Sequence, residues 1–303
     1  MEDLINNRCN LCPRNCGADR YNGEVGYCKA GNTLVVARAA LYFWEEPCIS
    51  GDDGSGTVFF SGCQLRCVYC QNRNIAIGKT GKEISIERLV EIFFELKDKG
   101  ANNINLVTPS HFANSIRKAL EMAKIQGLDL KVVYNTSAYD NVETIKSFDG
   151  LVDIYLPDMK YYDSNLSKRY SNAPDYFDVA SSAISEMVRQ RGKFKINDKG
   201  IMENGVIVRH LVLPEATQDS KRIIKYLYDT YGDDIFISIM NQYTPIWEGD
   251  ALSNYPELRR KITKEEYDEV VDYAIEIGIE NGFIQEGDTA KESFIPKFDL
   301  EGV

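Results

Sequence analysis

From residue 56 to the 280s, two hydrophobic rhythms alternate along the chain. Short, mostly apolar runs have strand length and strand composition: GTVFFSGC (56–63), NINLVTP, LKVVYNTS, GLVDIYLPDMK, GVIVRHLVLP and DIFISIMNQY. Between them lie segments whose apolar residues recur every third or fourth position. SIERLVEIFFELKDKG predicts a helix with Ser85 as N-cap and Gly100 at its end. SHFANSIRKALEMAKIQG, the short NVETIKSF, a long stretch turning helical and ending near Arg191, and QDSKRIIKYLYDTYG continue the series. KITKEEYDEVVDYAIEIGIENG predicts a last amphipathic helix, and the aromatic tail KESFIPKFDLEGV an extended segment packed across the body. Six strands separated by helix-length segments mean a parallel sheet of βαβ units, since parallel neighbours need a long crossover.

Such a sheet either closes toward a barrel or stays open and doubly wound. No G-x-G-x-x-G follows the first strand, which counts against the dinucleotide-binding open sheet. Polar residues gather instead where strands end: Thr108, Asn135 with Thr136, Asp158, and Asn241 with Gln242. In a barrel that rim carries the active site. The 303 residues suit one α/β barrel domain.

Composition narrows the function. Lys plus Arg total 35 against 46 Asp plus Glu, a net charge of −11, so the chain repels a nucleic-acid backbone. No apolar run reaches the roughly 20 residues of a membrane span. MEDLINNRCN has neither the basic start nor the apolar core of a signal peptide, which makes the cytoplasm the expected location. In a reducing compartment clustered cysteines serve as metal ligands or catalytic groups. Seven of the eight fall into two groups, Cys9, Cys12, Cys16 and Cys28, then Cys63, Cys67 and Cys70.

The second group, in SGCQLRCVYCQN, closes the first strand. Three thiolates on a short loop can hold three corners of a cubane iron–sulfur cluster, leaving one iron open to a small molecule. A zinc site completed by a distant residue is the plainer alternative. The loop resembles the C-x3-C-x-aromatic-C motif of the radical S-adenosylmethionine (SAM) superfamily, with Tyr69 in the aromatic position. The resemblance implies a partial (βα)6 TIM-type barrel, a 4Fe-4S cluster on Cys63, Cys67 and Cys70, and SAM chelated at the fourth iron. It implies reductive cleavage to a 5′-deoxyadenosyl radical that abstracts a hydrogen atom, with Tyr69 close to the adenine.

Asp158-Met159-Lys160 is similar to the D-x-K element of glycyl-radical activating enzymes, and Arg209 to an arginine that contacts the cofactor carboxylate. Ordinary ion pairs are the alternative at both places. One departure stands out. Where family members often carry Gly-Gly-Glu at the end of the second strand, this chain has NLVTPSH, with Thr108 but no carboxylate. Together with the amino-terminal C-x2-C-P-R-x-C and the closing F-I-P-x-F-D-L-x-G-V, the pattern most resembles the PflX-like branch, named for similarity to the pyruvate formate-lyase activator. The implied partner is a glycyl-radical enzyme, with modification of another protein or peptide as the alternative and a flavodoxin- or ferredoxin-like protein as reductant. An iron–sulfur electron carrier is the competing class, but carriers leave no iron open.

The expected organisation is a Cys-rich metal-binding extension, residues 1–47, before a barrel with helix and tail, residues 48–303. The segment CNLCPRNCGADRYNGEVGYCKAGN has too few apolar residues to fold alone, so something else must order it, and four thiolates around a metal would suffice. Cys9, Cys12, Cys16 and Cys28 suit zinc or a second 4Fe-4S cluster, and the spacing leaves both open. The candidate cofactor contacts are Tyr69, Thr108, Asn135, Asp158, Lys160, Arg209 and Asn241. Cys48 reads as a small buried side chain or as a thiol near the site. His111, at a strand end, is a candidate cofactor or substrate contact. His210 faces outward if its neighbour Arg209 faces the barrel.

Overall fold

A computed structural model describes residues 8–245, 252–285 and 295–303. Within these, ten strands form one sheet: β1 (Leu34–Tyr42), β2 (Ser55–Phe60), β3 (Lys82–Ile84), β4 (Asn103–Val107), β5 (Lys131–Thr136), β6 (Ile154–Pro157), β7 (Lys195–Ile196), β8 (Met202–Leu211), β9 (Phe236–Met240) and β10 (Gly282–Ile284). The helices are α1 (Pro47–Ser50), α2 (Arg73–Ala76), α3 (Ile86–Asp98), α4 (Ala113–Ile125), α5 (Val142–Lys146), α6 (Ser164–Ser171), α7 (Tyr176–Arg191), α8 (Thr217–Tyr231) and α9 (Lys264–Glu276).

The six expected strands are β2, β4, β5, β6, β8 and β9. They lie side by side in that order, all parallel. Crossovers through α3, α4, α5, the α6–α7 pair and α8 link them, as the alternating rhythms require. Beyond β9 the sheet gains parallel β10, and beyond β2 it gains antiparallel β1 and then β3. Among the described residues no pairing joins β3 to β10, so the barrel is partial. β1 falls within residues 1–47 yet pairs with β2, so the sheet takes in part of the expected extension.

Local sequence accounts for the helices. Ser85 caps α3 by accepting from the Arg88 N–H, and Leu89, Val90, Ile92, Phe93 and Leu96 make its buried stripe. In α9, Thr263 and Glu266 form a reciprocal capping box, with Tyr267, Val270 and Ala274 turned inward. From β2 to β9 the parallel strands are buried almost throughout, which is why they read as continuous apolar runs. The described part of the tail, residues 295–303, runs along β1. Leu300 N–H donates to Ala37 O, Ala39 N–H donates to Glu301 O, and Phe298 packs edge-on to Phe59. Tail residues 291–294 lie outside the described residues.

The β1–β2 connection plugs the bottom of the barrel. Cys48 and Ile49 of α1 pack with Val133, Ile154, Leu156, Ile207 and Phe236. Asn102 and Asn103 donate to Ser50 O and Ile49 O at 2.6 and 2.8 Å, fixing the plug to β4. Cys48 is therefore core, 3% exposed, with burial pushing its thiol up to about 12. The plug closes one end of the barrel interior and leaves the other for chemistry.

Candidate active site

Residues 61–70 leave the carboxyl end of β2 as a loop, which places the three cysteines at the rim. A cavity of about 390 Å³ opens below them. Cys63, Cys67 and Cys70 line it together with Tyr69, Thr108, Asn135, Asp158, Lys160 and Arg209. Residues far apart in sequence thus meet because each ends, or directly follows, a parallel strand. Asn241 stands apart. Its N–H and side-chain amide donate to Gln285 at 2.8 and 3.4 Å, while Gln242 and Gln285 face the cavity.

The Cys63 sulfur accepts from the Leu65 and Arg66 N–H groups, each at 3.4 Å. Burial pushes the Cys63 thiol up to about 11, and Cys70 higher still, while Lys160 works in the opposite direction on both. Three thiols at one cavity mouth, with backbone donors and a cation nearby, are a donor set that fits an iron–sulfur cluster. Among the described residues no three or more His, Cys, Asp or Glu side chains converge on a single-ion position. Cubane ligands bind separate irons and need no common centre.

Tyr69 is buried against Tyr161, Tyr170 and Tyr243, all edge-on at 6.2–6.4 Å, and its oxygen accepts from Tyr161 at 2.8 Å. Deeper in, Asp158 binds Lys160 Nζ at 2.7 Å through Oδ2 and Arg209 Nε at 3.0 Å through Oδ1. Burial alone would raise the Asp158 carboxyl, but Arg209 and Lys160 outweigh it and hold it below its ordinary value. The ion pairs expected as the alternative reading are present, and they face the cavity.

Sequence reasoning missed a carboxylate here. Glu45, from the β1–β2 connection, accepts from Asn105 Nδ2 at 3.1 Å and Asn135 Nδ2 at 3.3 Å, and pairs with Arg209 Nη1 at 3.1 Å. Arg209 Nη2 donates to Asn135 Oδ1 at 2.7 Å. Burial, opposed by Arg209 and reinforced by Glu46, pushes Glu45 up to about 7. No carboxylate stands at the end of β4. There Thr108 adopts φ 57° and donates its N–H to Asn135 O, and a carboxylate reaches the neighbouring asparagines from a different element.

The two histidines lie elsewhere. His111 sits behind the cysteine loop, its Nε2 2.8 Å from Ser61 O, and does not line the cavity. His210 faces outward as its alternation with Arg209 requires, between Met159 O at 2.7 Å and Ser220 Oγ at 2.8 Å. Burial pushes His210 down to about 4, so the folded state keeps it neutral where the unfolded chain would protonate it. Stability present above pH 6.5 is therefore lost as pH falls toward 4, by about 2 kcal/mol at pH 5. Urea unfolding at pH 7 and pH 5 should show His210→Gln losing less stability on acidification than the wild type by that margin. Equal losses would count against it.

The amino-terminal cysteines gather on one side of this loop. A Cβ on Gly26 would stand 3.3 Å from both the Cys16 and Cys28 sulfurs, and Cys9 lies within hydrogen-bonding reach of Cys16. Burial pushes Cys12 up to about 12, with Cys28 and Cys9 adding to the rise. Arg20 donates to Cys28 Sγ at 3.1 Å and to His111 O at 2.6 Å. The Cys63 N–H donates to Cys28 O at 3.1 Å, and Arg14 donates to Gln64 O at 2.8 Å. The segment thus braces the loop that carries Cys63.

The chain is 27% identical over 275 residues to an uncharacterized protein, MJ0674, of Methanocaldococcus jannaschii, covering 88% of this chain and 74% of that one. It is 28% identical over 191 residues to a pyruvate formate-lyase-activating enzyme of Clostridium pasteurianum, covering 58% of this chain and 69% of that one. Among solved structures, Streptococcus suis SuiB bound to its precursor peptide SuiA shares the fold at a TM-score of 0.50 and 13% identity. That match covers 75% of this chain, which spans only 47% of SuiB. The similarity to the activating enzyme sets the chain beside the activating-enzyme-like branch. Residues 57–227, from β2 through most of α8, match the radical SAM superfamily, and with more than half its length inside that match the protein belongs to this superfamily.

Proposed function

We propose that the protein binds a 4Fe-4S cluster on Cys63, Cys67 and Cys70 and SAM in the cavity beneath, and uses them to take a hydrogen atom from a protein or peptide. The observation that carries this reading is the shared cavity of the three cysteines with Tyr69, Asp158, Lys160 and Arg209. Bound there, the cluster and SAM supply one-electron cleavage of the cofactor and hydrogen-atom abstraction. The chain's own part is to bind, orient and exclude water. Tyr69 offers an apolar wall for the adenine, while Lys160 and Arg209 supply cations for the methionyl carboxylate. Asp158 holds both in position. Thr108 and Asn135 offer neutral polar groups, and Asn241 acts through Gln285.

A glycyl-radical enzyme is the proposed partner, supported by the Clostridium pasteurianum relative, with a flavodoxin- or ferredoxin-like protein as reductant. SAM affinity tests the cavity assignment. Asp158→Asn and Lys160→Met should each weaken SAM binding ten- to a hundredfold, as losing one charge-assisted hydrogen bond of roughly 1.5–3 kcal/mol implies. Iron content should stay unchanged. Wild-type affinity in both variants would remove them from the site.

Cys9, Cys12, Cys16 and Cys28 are proposed to bind a second 4Fe-4S cluster, or zinc once their sulfurs, which do not yet converge on a single-ion position, draw together; either would order residues 8–32 against the catalytic loop. Cys12→Ser should leave the Cys63–Cys67–Cys70 cluster spectrum in place but open the amino-terminal segment to protease. Iron falling by half in that variant identifies a cluster, and zinc loss at constant iron identifies zinc. A segment that stays protected after all four cysteines are replaced would contradict metal ordering.

A further inference from the structure

The cavity floor carries a second acidic group, Glu46, directly before α1. It occupies the N-cap position, where an acidic side chain ordinarily bonds backbone N–H groups, but makes no capping bond. Glu46 is 8% exposed and lines the cavity, and among the described residues no hydrogen bond or ion pair reaches its carboxylate. The nearest strong cation is committed elsewhere. Arg209 gives Nε to Asp158, Nη1 to Glu45 and Nη2 to Asn135, and so attracts Glu46 without bonding it. A carboxylate that opens onto the cavity with no protein partner is free to pair with a positively charged ligand group.

The chain brings Glu46 into the cavity from the end of the barrel opposite the cysteine loop. β1 ends at Tyr42, which pairs with Ser55 at the start of β2, whereas the cysteine loop leaves the far end of that strand. Six residues of strand set the two ends roughly 20 Å apart. Glu46 therefore enters the cavity from the floor side, while its neighbour Glu45 reaches across to Arg209. Tyr42 and Phe59, edge-on at 6.2 Å, add aromatic surface to the same cavity, which suits a cation with an aliphatic stem.

We propose that Glu46, with Glu45 beside it, forms a cation subsite on the barrel floor that receives the ammonium or guanidinium group of the substrate. The inference rests on the radical SAM reading of the cavity and names its substrate class: a peptide segment presenting a lysine or arginine side chain. Two probes differing only in charge test it, Nα-acetyl-lysine methylamide and Nα-acetyl-norleucine methylamide. Each is titrated into reconstituted, SAM-loaded protein and followed by saturation-transfer NMR. The lysine probe should bind at least tenfold more tightly, and Glu46→Gln should erase that preference. Equal binding of the two probes, no binding of either, or a preference that survives Glu46→Gln would overturn the subsite. A loss of SAM affinity in Glu46→Gln as large as the loss for the lysine probe would assign the carboxylate to the cofactor and also overturn it. SAM titration of the wild type reads the underlying cavity assignment separately.

Discussion

Cys67→Ala, reconstituted anaerobically and reduced with dithionite, should form no deoxyadenosine from SAM. The same holds for Cys63→Ala and Cys70→Ala. The expected loss is complete rather than graded, because each cysteine is one of only three protein ligands to the proposed cluster and no other cysteine lines the cavity. Cys48, the nearest spare thiol in sequence, is packed in the plug with Val133 and Ile154. It cannot substitute. Product chromatography decides the matter, and a Cys67→Ala variant that still cleaves SAM at the wild-type rate would contradict the assignment of all three.

Gly62→Ala should be strongly damaging at the cysteine loop while leaving every candidate ligand in place. Gly62 has φ 97°, where an L-side chain is strained, and its backbone alone would cost alanine roughly 1–2 kcal/mol. Contact adds to this. A Cβ there would lie 2.7 Å from Cys28 O and 3.0 Å from His111 Nε2, and the first is backbone that cannot rotate away. The carbonyl in question is the one that accepts from Cys63 N–H, so relief of the clash separates the two cysteine segments. The expected result is a melting temperature lower by several degrees together with reduced iron retention. Wild-type melting and iron content in Gly62→Ala would show that the bracing contact does not matter.

The parallel part of the fold was legible because buried parallel strands are continuous apolar runs and the helices between them keep a clean amphipathic stripe. β2, β4, β5, β6, β8 and β9 all announce themselves in this way. β3, β7 and β10 have three, two and three residues, too short for an alternation to register. β1 follows the cysteine segment directly, and its membership of the sheet depends on pairing with β2 across the plug, a contact that no local pattern encodes.

The site divides in the same way. Cys63, Cys67 and Cys70 carry a spacing, and Asp158, Lys160 and Arg209 sit on or just after strands whose direction could be read. Glu45 has no spacing to betray it. It meets Arg209 from 164 positions away in sequence, carried in by a hairpin that a linear reading treats as a loop. Glu46 was hidden for the same reason. Asn241 was expected at the cavity because it follows β9, but its hydrogen bonds to Gln285 turn it aside and leave Gln242 facing in.

The proposed chemistry requires SAM to bind directly against a cluster held by the three-cysteine loop. Electron paramagnetic resonance of the reduced, reconstituted protein, recorded with and without SAM, tests it most directly. The predicted result is a reduced-cluster signal whose g-values change when SAM is added and return when SAM is removed. That response should persist in Cys12→Ser and be absent in Cys67→Ala. A cluster signal indifferent to saturating SAM would mean that the cofactor does not reach the iron, and would contradict the proposed function.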